Sequence, residues 1–260
     1  MMGSVQSAIG VFPVKHSKPK LISTAGYQVR VSPRAKHVSI KVSHLGEVEV
    51  VVPKGFDQRK IPDMVRQRQD WIAKTIERIE AERLSLGPAS HSTLPEKIPL
   101  RSIPEDWAVT YRPTKDGQTR LTSAIAHKLI IQGAIDDVEA CRQMLQRWLA
   151  RKAKLHLESW LYRVSEEVEL PFDAVSVRGQ KTRWASCSSN RSISLNYKLL
   201  FLPPSLVRYV FVHELCHTVH LNHSSRFWHL VEEKEPNYKE LDKELRKAWR
   251  YVPEWVERQD

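Results

Sequence analysis

The sequence predicts an α+β fold, in which strand-rich segments and long helices share a chain of 260 residues. Three observations support this prediction. Residues 27–52 alternate apolar and polar side chains, which is typical of half-buried strands. Two long amphipathic stretches, 57–84 and 136–169, indicate helices, and a shorter apolar stretch after residue 203 carries several histidines. We expect a β-rich N-terminal region with one long helix over residues 1–135 and a second domain over residues 136–260.

The N-terminal region begins with three predicted antiparallel strands at residues 27–32, 36–42 and 47–52, with Gly46 marking a turn. The helix at 57–84 follows. Residues 85–99 contain glycine and several prolines, which indicates a loop or linker. Three further strands are expected at residues 107–112, 119–122 and 127–132.

The C-terminal domain is predicted to begin with a long helix, because Asp136 and Asp137 suit a helix N-terminus. Strands at 174–177 and 192–196 come next. Pro203-Pro204 then opens the histidine-bearing helix, since proline is favoured in a first turn. Ser224-Ser225 begins another helix, and residues 238–250 are predicted as the last one.

The most informative motif is His213-Glu214-Leu215-Cys216-His217, followed after five residues by His223. Residues four apart share one face of a helix, so the first two imidazoles can reach a common ion, with Glu214 beside it. A catalytic zinc usually takes three protein ligands and keeps one position for water. The motif therefore predicts one Zn²⁺ per chain and requires a third ligand.

His223 is the preferred third ligand, because Leu221-Asn222 offers a place for the helix to end and for the chain to turn back. His220 lies on the same helical face, but seven residues of helix rise about 10 Å, too far for three imidazoles of one straight helix to share an ion. An acid or a histidine on the following helix could also serve as the third ligand: Glu232, Glu233, Glu235, Glu240 or His229.

Glu214 is the predicted general base. The apolar run at residues 206–212 indicates a buried helix, where a carboxylate beside two imidazoles is costly unless a metal or a solvent-filled cleft accompanies it. Zinc activates water and polarises a carbonyl, so a carboxylate at this position can take a proton from water and return it to a leaving amine. The predicted reaction is peptide-bond hydrolysis.

The stretch from Arg178 to Trp228 resembles the YgjP-like metallopeptidases, which are related more distantly to the SprT-like and WLM metalloproteases. Three motifs carry the resemblance in order: K-T-R-W-x-S-C at residues 181–187, L-N at 195–196, and N-H-S-x-x-F-W at 222–228. Residues 27–53 and the helix carrying Trp71-Ile72 resemble the family less closely.

The resemblance implies a zincin-like catalytic domain, with the zinc helix beside a small antiparallel sheet. It implies that His213, His217 and His223 bind zinc and that Glu214 is the catalytic acid/base. Strands before the zinc helix would form a rim for an extended peptide. Ala185 stands where the family usually has glycine, and the chain lacks the C-terminal cysteine-based zinc ribbon of some SprT-like relatives.

Arg183 and Trp184 are candidates for the wall of the substrate cleft, with packing between sheet and helix as the alternative role. Tyr197 and Tyr209 are candidate hydrogen-bond donors to an oxyanion, with ordinary core packing as the alternative. The three cysteines, Cys141, Cys187 and Cys216, form no C-x-x-C pair and are expected to be reduced, mostly buried thiols.

Composition predicts a cytoplasmic enzyme. The chain has no apolar run of membrane-spanning length, and residues 1–20 lack the long apolar segment of a signal peptide. A net charge of +11 favours polyanions. The expected partner is a protein or peptide substrate, with nucleic acid contact through the basic surface as a further option. The alternative function is a metal-binding nucleic-acid or ribosome adaptor with little or no turnover.

Overall fold

The computed structural model describes residues 26–84, 94–114 and 118–257. These residues form two compact units, which divide between residues 84 and 94. The division does not coincide with the predicted boundary at residues 135 and 136, because a four-stranded sheet assigned to the N-terminal region belongs to the second unit. Both units combine strands and helices, in agreement with the predicted α+β class.

The first unit contains a mixed sheet rather than the predicted antiparallel one. Its strands are β1 (Tyr27–Ser32), β2 (Ser39–Val42) and β3 (Val48–Pro53). The central strand β3 pairs parallel with β1 and antiparallel with β2. The predicted long helix is also divided, because Arg68 leaves helical geometry between α1 (Ile61–Gln67) and α2 (Gln69–Leu84).

The second unit begins with a four-stranded sheet in the order β4-β5-β7-β6. Its strands are β4 (Lys97–Leu100), β5 (Glu105–Pro113), β6 (Arg120–Ile125) and β7 (Lys128–Gly133). Strand β4 overlaps the predicted loop at 85–99, of which residues 85–93 lie outside the described residues. A two-residue turn, Ala126-His127, joins β6 to β7 with positive φ at both positions, as tight hairpins require.

Helix α3 (Val138–Val168) confirms the predicted long helix. Asp137 is its N-cap, and its carboxylate accepts a hydrogen bond from the Ala140 backbone N–H at 2.9 Å. Its buried face carries Leu145, Leu149, Leu157 and Leu161, each with no exposed surface. None of the helices in the described residues is both long and apolar enough to cross a membrane.

The third sheet is mixed as well, and the predicted small antiparallel sheet is wrong in that respect. Its strands are β8 (Ala174–Arg178), β9 (Ala185–Cys187) and β10 (Ser192–Asn196), in the order β8-β10-β9. Strand β10 pairs parallel with β8 and antiparallel with β9, a strand that the sequence did not predict.

In the described residues, four α-helices follow the third sheet: α4 (Pro204–Cys216), α5 (Ser225–Lys234), α6 (Tyr238–Leu245) and α7 (Glu254–Glu257). The last predicted helix, 238–250, ends early, because α6 stops at residue 245 and a separate 3₁₀ turn covers residues 248–251. Trp160 of α3 packs edge-on against Phe211 of α4 with ring centroids 5.4 Å apart. Helices α3 and α4 therefore pack against each other in the core of this unit.

One topology occurs three times, although the sequence shows no repeat. In each case the first and second strands flank the third, which is parallel to the first and antiparallel to the second, and a helix follows. We call these βββα segments. The first runs from β1 to α1, the second from β5 to α3 and the third from β8 to α4. Six residues separate the first two strands in every segment, at 33–38, 114–119 and 179–184.

Candidate metal centre

Helix α4 and the turn after it place three histidines together. Pro204 occupies the first turn of α4, and the helix is buried along nearly its whole length. His217 forms its C-cap, after which the backbone N–H groups of Thr218, Val219 and His220 close tight turns onto the last helical carbonyls. The chain then reverses direction and brings His223 back to the helix end.

The three Nε2 atoms converge. That of His213 lies 3.1 Å from that of His223 and 3.2 Å from that of His217, and the candidate ligand atoms of all three residues lie within 4.8 Å of one another. Three nitrogens bound to one tetrahedral ion at about 2.1 Å lie about 3.4 Å apart. The observed separations fit a single metal ion.

Backbone geometry orients one of these rings. The Nδ1 of His217 lies 2.8 Å from the carbonyl oxygen of His220, which can only accept a hydrogen bond. The proton of neutral His217 therefore lies on Nδ1, and its Nε2 lone pair points into the cluster. His220 thus contributes its carbonyl to the site, whereas its imidazole is not part of the cluster.

The other candidates for the third ligand do not lie in this histidine cluster. Over the described residues, the three histidines are the only group of His, Cys, Asp or Glu side chains close enough to hold a metal ion. Glu235 pairs with Arg208 at 3.2 Å, and Glu232 pairs with Lys239 at 3.3 Å. The geometry therefore brings together the ligand set expected from the motif and leaves out His229 and the downstream acids.

Burial keeps the imidazoles neutral in the metal-free protein. It holds the pKa of His213 well below its ordinary value and lowers the pKa of His217 to about 4. Burial also lowers the pKa of His223, while the nearby Asp242 opposes this effect. A metal binds imidazole in its neutral form, so these three residues are ready to bind one at neutral pH.

Glu214 is completely buried beside the cluster. Neither of its carboxylate oxygens has a hydrogen-bond partner among the described residues. Burial raises the pKa of Glu214 to about 8, while the Cys187 backbone N–H and the Arg183 guanidinium oppose that rise. The Cys187 N–H faces the carboxylate without reaching hydrogen-bonding geometry. An unpaired buried carboxyl group is costly for the fold, and such groups concentrate at functional sites.

Asn196 holds the link at residues 179–184, which carries Arg183 close to Glu214 of α4. The Asn196 side-chain amide donates to the carbonyls of Gln180 and Arg183, each at 2.8 Å. Trp184 stacks on Trp249 at 4.2 Å and is only 1% exposed, so it packs in the core. Arg183 is half-buried and close enough to Glu214 to lower its pKa. The two proposed cleft residues therefore have different environments.

The two candidate tyrosines are engaged in packing. The Tyr209 hydroxyl donates to Asp242 Oδ1 at 3.4 Å, and burial raises its pKa. The Tyr197 ring lies against Gly179, where an added Cβ would come within 2.8 Å of it. All three cysteines are buried free thiols, as expected, and none belongs to the metal-binding group found in the described residues.

Three contributors to the site were missed as functional residues in the sequence. Asn196 is part of the L-N motif, but its role as a clamp depends on residues 13 and 16 positions away. The His220 carbonyl is a backbone group, which side-chain patterns do not report. Phe227 lies against all three imidazoles, and its position four residues after His223 was the available signal.

Comparison with protein families gives one match. The model of the YgjP-like metallopeptidase domain matches residues 36–248, which includes the three histidines, Glu214 and residues of both compact units. Searches of curated proteins and of solved structures found no significant match. A metallopeptidase acts on protein or peptide substrates and uses a metal ion, for which the histidine cluster is the fitting site. The chain belongs to the YgjP-like metallopeptidase family.

Proposed function

We propose that this protein is a zinc-dependent peptidase in which His213, His217 and His223 hold the metal and Glu214 is the general base. The main support is the environment of Glu214. Its carboxyl group is fully buried, has no hydrogen-bond partner in the described residues and lies next to three converging imidazoles. A purely structural metal site needs no such group. This site and the family together support a zincin-like catalytic unit.

The donor set favours zinc. Three imidazole nitrogens suit zinc and disfavour magnesium and calcium, which prefer oxygen ligands. Three protein ligands are also the number found in catalytic rather than structural zinc sites. When bound, zinc supplies a Lewis acid and makes water a nucleophile at neutral pH.

The proton transfers fall to Glu214. Its carboxylate accepts a proton from the attacking water, whose oxygen adds to the peptide carbonyl carbon. As the C–N bond breaks, the same carboxyl group returns that proton to the nitrogen of the leaving amine. Burial alone raises the pKa of this group, and a dication held by the neighbouring imidazoles would favour the carboxylate form that accepts the proton.

An extended peptide is the proposed substrate form. Strand β9 lies at one edge of its sheet, and its residue Cys187 is next to Glu214. An edge strand can pair with a substrate backbone, which binds many sequences with little side-chain preference. This arrangement favours unfolded or flexible segments over folded proteins.

We propose a cytoplasmic location, because three free thiols suit a reducing compartment. The adaptor function remains the alternative that the net charge of +11 favours. On α3, the exposed cations Arg147, Arg151 and Lys154 have no ion-pair partner within the described parts of the chain. A nucleic acid partner would bind such cations and lose affinity as salt rises.

The test is cleavage of an unfolded protein by the zinc-loaded chain, with and without single-stranded DNA. The control is Glu214→Gln, which keeps the shape of the side chain and removes the carboxylate. Cleavage by the wild type alone is the expected result. Equal cleavage by both proteins would overturn the role of Glu214, and DNA binding without cleavage under any condition would favour the adaptor.

A further inference from the structure

Phe227 contacts all three histidines of the metal centre. Its ring stacks on His217 with centroids 4.2 Å apart and planes inclined by 17°. It meets His213 edge-on at 4.9 Å and His223 edge-on at 4.8 Å. Phe227 has no exposed surface. A single buried ring thus packs against all three imidazoles, two from the end of α4 and one from the segment before α5.

Hydrogen bonds from described protein groups orient only one of the three histidine rings. Metal-binding histidines almost always donate their second ring N–H to a carboxylate, a carbonyl or water. Among the described residues, His217 has a protein partner for its Nδ1, the carbonyl of His220. The Nδ1 of His213 has none in the part of the chain described, and the only hydrogen-bond contact of His223 within that part is through Nε2. For these two rings, aromatic packing is the orienting contact that the described protein residues supply.

A second aromatic layer supports the exposed ligand. Trp228 stacks on His223 with centroids 5.5 Å apart and planes inclined by 25°, and it meets His213 edge-on at 5.8 Å. Tyr238 stacks on Trp228 at 5.5 Å with an inclination of 22°. His223 lies in an exposed turn rather than in a helix. The ring of Trp228 therefore restricts a side chain that its own backbone leaves comparatively free.

The chain delivers these rings by a short route. Helix α5 begins two residues after His223, and both aromatic residues lie in its first turn. Val231, one turn further on, is buried and anchors the same face of α5 in the core. A shift of α5 would displace His223 together with the rings of Phe227 and Trp228 that pack against it.

We propose that Phe227 is the positioning residue of the metal centre, holding His213, His217 and His223 in binding geometry by aromatic packing, with Trp228 restricting His223. This inference rests on the proposed metal centre. It predicts that metal affinity depends on the rings of α5 beyond their contribution to folding.

The test compares Phe227→Leu with Phe201→Leu. Phe201 is equally buried in the same unit, but it packs against Trp255 at 6.4 Å. Zinc affinity is measured by chelator competition, ligand geometry by the absorption of the cobalt-substituted protein, and stability by denaturation of the metal-free protein. We expect Phe227→Leu to weaken zinc binding about 10- to 100-fold and to change the cobalt spectrum. Phe201→Leu should lower stability while affinity and spectrum stay unchanged.

Equal affinities for the two variants would overturn the inference. If Phe227→Leu does not fold, the test uses Trp228→Leu instead, because Trp228 is only half-buried. This variant should weaken zinc binding and alter the cobalt spectrum. Unchanged affinity and spectrum would count against the proposal. A wild type that binds no zinc would instead remove the proposed function itself. A wild type that binds zinc but does not cleave peptides would leave the inference intact.

Discussion

The second and third βββα segments share one topology but differ in chemistry. In both, two strands flank a third, six residues link the first strand to the second, and a helix follows. The helix of the second segment presents Leu145, Leu149 and Leu157 to the core. The corresponding helix of the third presents His213 and Glu214. The arrangement of strands and helix therefore does not by itself create a site.

Helix length separates the two segments further. Helix α3 runs for 31 residues and ends just before Glu169, its C-cap, which adopts a left-handed conformation with φ of 57°. Helix α4 has only 13 residues and ends just before His217. Because α4 ends there, the chain can turn and return His223 to the same ion. An early helix end thus completes a ligand set that a continuous helix could not provide.

The six residues that link the first strand to the second are held differently in the two segments. In each segment the residue responsible is the last one of the third strand, β7 or β10. In the second segment this residue is Gly133, where an added Cβ would lie 2.0 Å from the Gln118 carbonyl oxygen. In the third segment it is Asn196, whose side chain binds the link through two carbonyls. In the second segment, the backbone at Gly133 packs directly against the link at Gln118. In the third segment, hydrogen bonds from the Asn196 side chain hold the link whose Arg183 lies near Glu214.

The largest effect is expected from removing a ligand of the third segment. His223→Ala should abolish stoichiometric zinc binding and peptidase activity, because two imidazoles leave the ion with too few protein ligands. The measurement is metal content after dialysis, together with cleavage of an unfolded protein. His156→Ala on α3 is the matched control and should keep the metal. Full metal content in His223→Ala would place the third ligand among the downstream acids.

Glu214→Gln should separate chemistry from metal binding. We expect kcat/KM to fall about 10²- to 10⁴-fold, the usual contribution of a general base, with zinc content unchanged. The measurement is steady-state cleavage of a peptide substrate beside metal analysis. Glu158→Gln on α3 makes the same chemical change in the second segment and should leave activity intact. Comparable rates for all three proteins would contradict the assignment of Glu214.

The two links can be compared by substituting their anchoring residues. Gly133→Ala should cost about 3 kcal/mol of unfolding free energy, because φ of 127° disfavours a side chain and the new Cβ collides with backbone. Asn196→Ala should cost about 2–3 kcal/mol, because buried carbonyls lose their donor.

Denaturant unfolding measures both changes, and cleavage assays distinguish them. Only Asn196→Ala should reduce activity of the folded, zinc-loaded protein, since only its link lies beside Glu214. Equal loss of activity in folded Gly133→Ala would show that the second segment also supports the site.

The smallest effect is expected from Glu105→Gln in the second segment. Burial raises the pKa of Glu105, but hydrogen bonds from Lys152 and Trp107 outweigh it and lower the pKa overall. A lowered pKa stabilises the fold above the unfolded-state value of 4.5, and this contribution disappears as pH falls through the folded-state value. We expect a loss of about 1 kcal/mol at pH 7, shrinking in acid, with metal content unchanged. A loss independent of pH would contradict the ionic contribution.

Local patterns predicted much of what the structure contains. The ends of β1 and the start of α3 follow from alternation and from the Asp137 cap, since both depend on neighbouring residues. The strand direction of β1, the existence of β9 and the break at Arg68 did not follow from the sequence. Strand pairing depends on partners distant in the chain, and β9 has only three residues, too few for a periodic signal.

Sequence spacing favoured the proposed ligand set, because helical periodicity places His213 and His217 on one face and a short offset can return His223. It left downstream acids and His229 open as alternatives, and the fold brings only the three histidines together within the described residues. The same spacing puts Glu214 next to them. Three further features required the assembled fold: Glu214 is buried without a partner in the described residues, Asn196 holds the neighbouring link, and Phe227 packs under all three imidazoles. Burial and packing arise between segments far apart in the chain, so no local pattern specifies them.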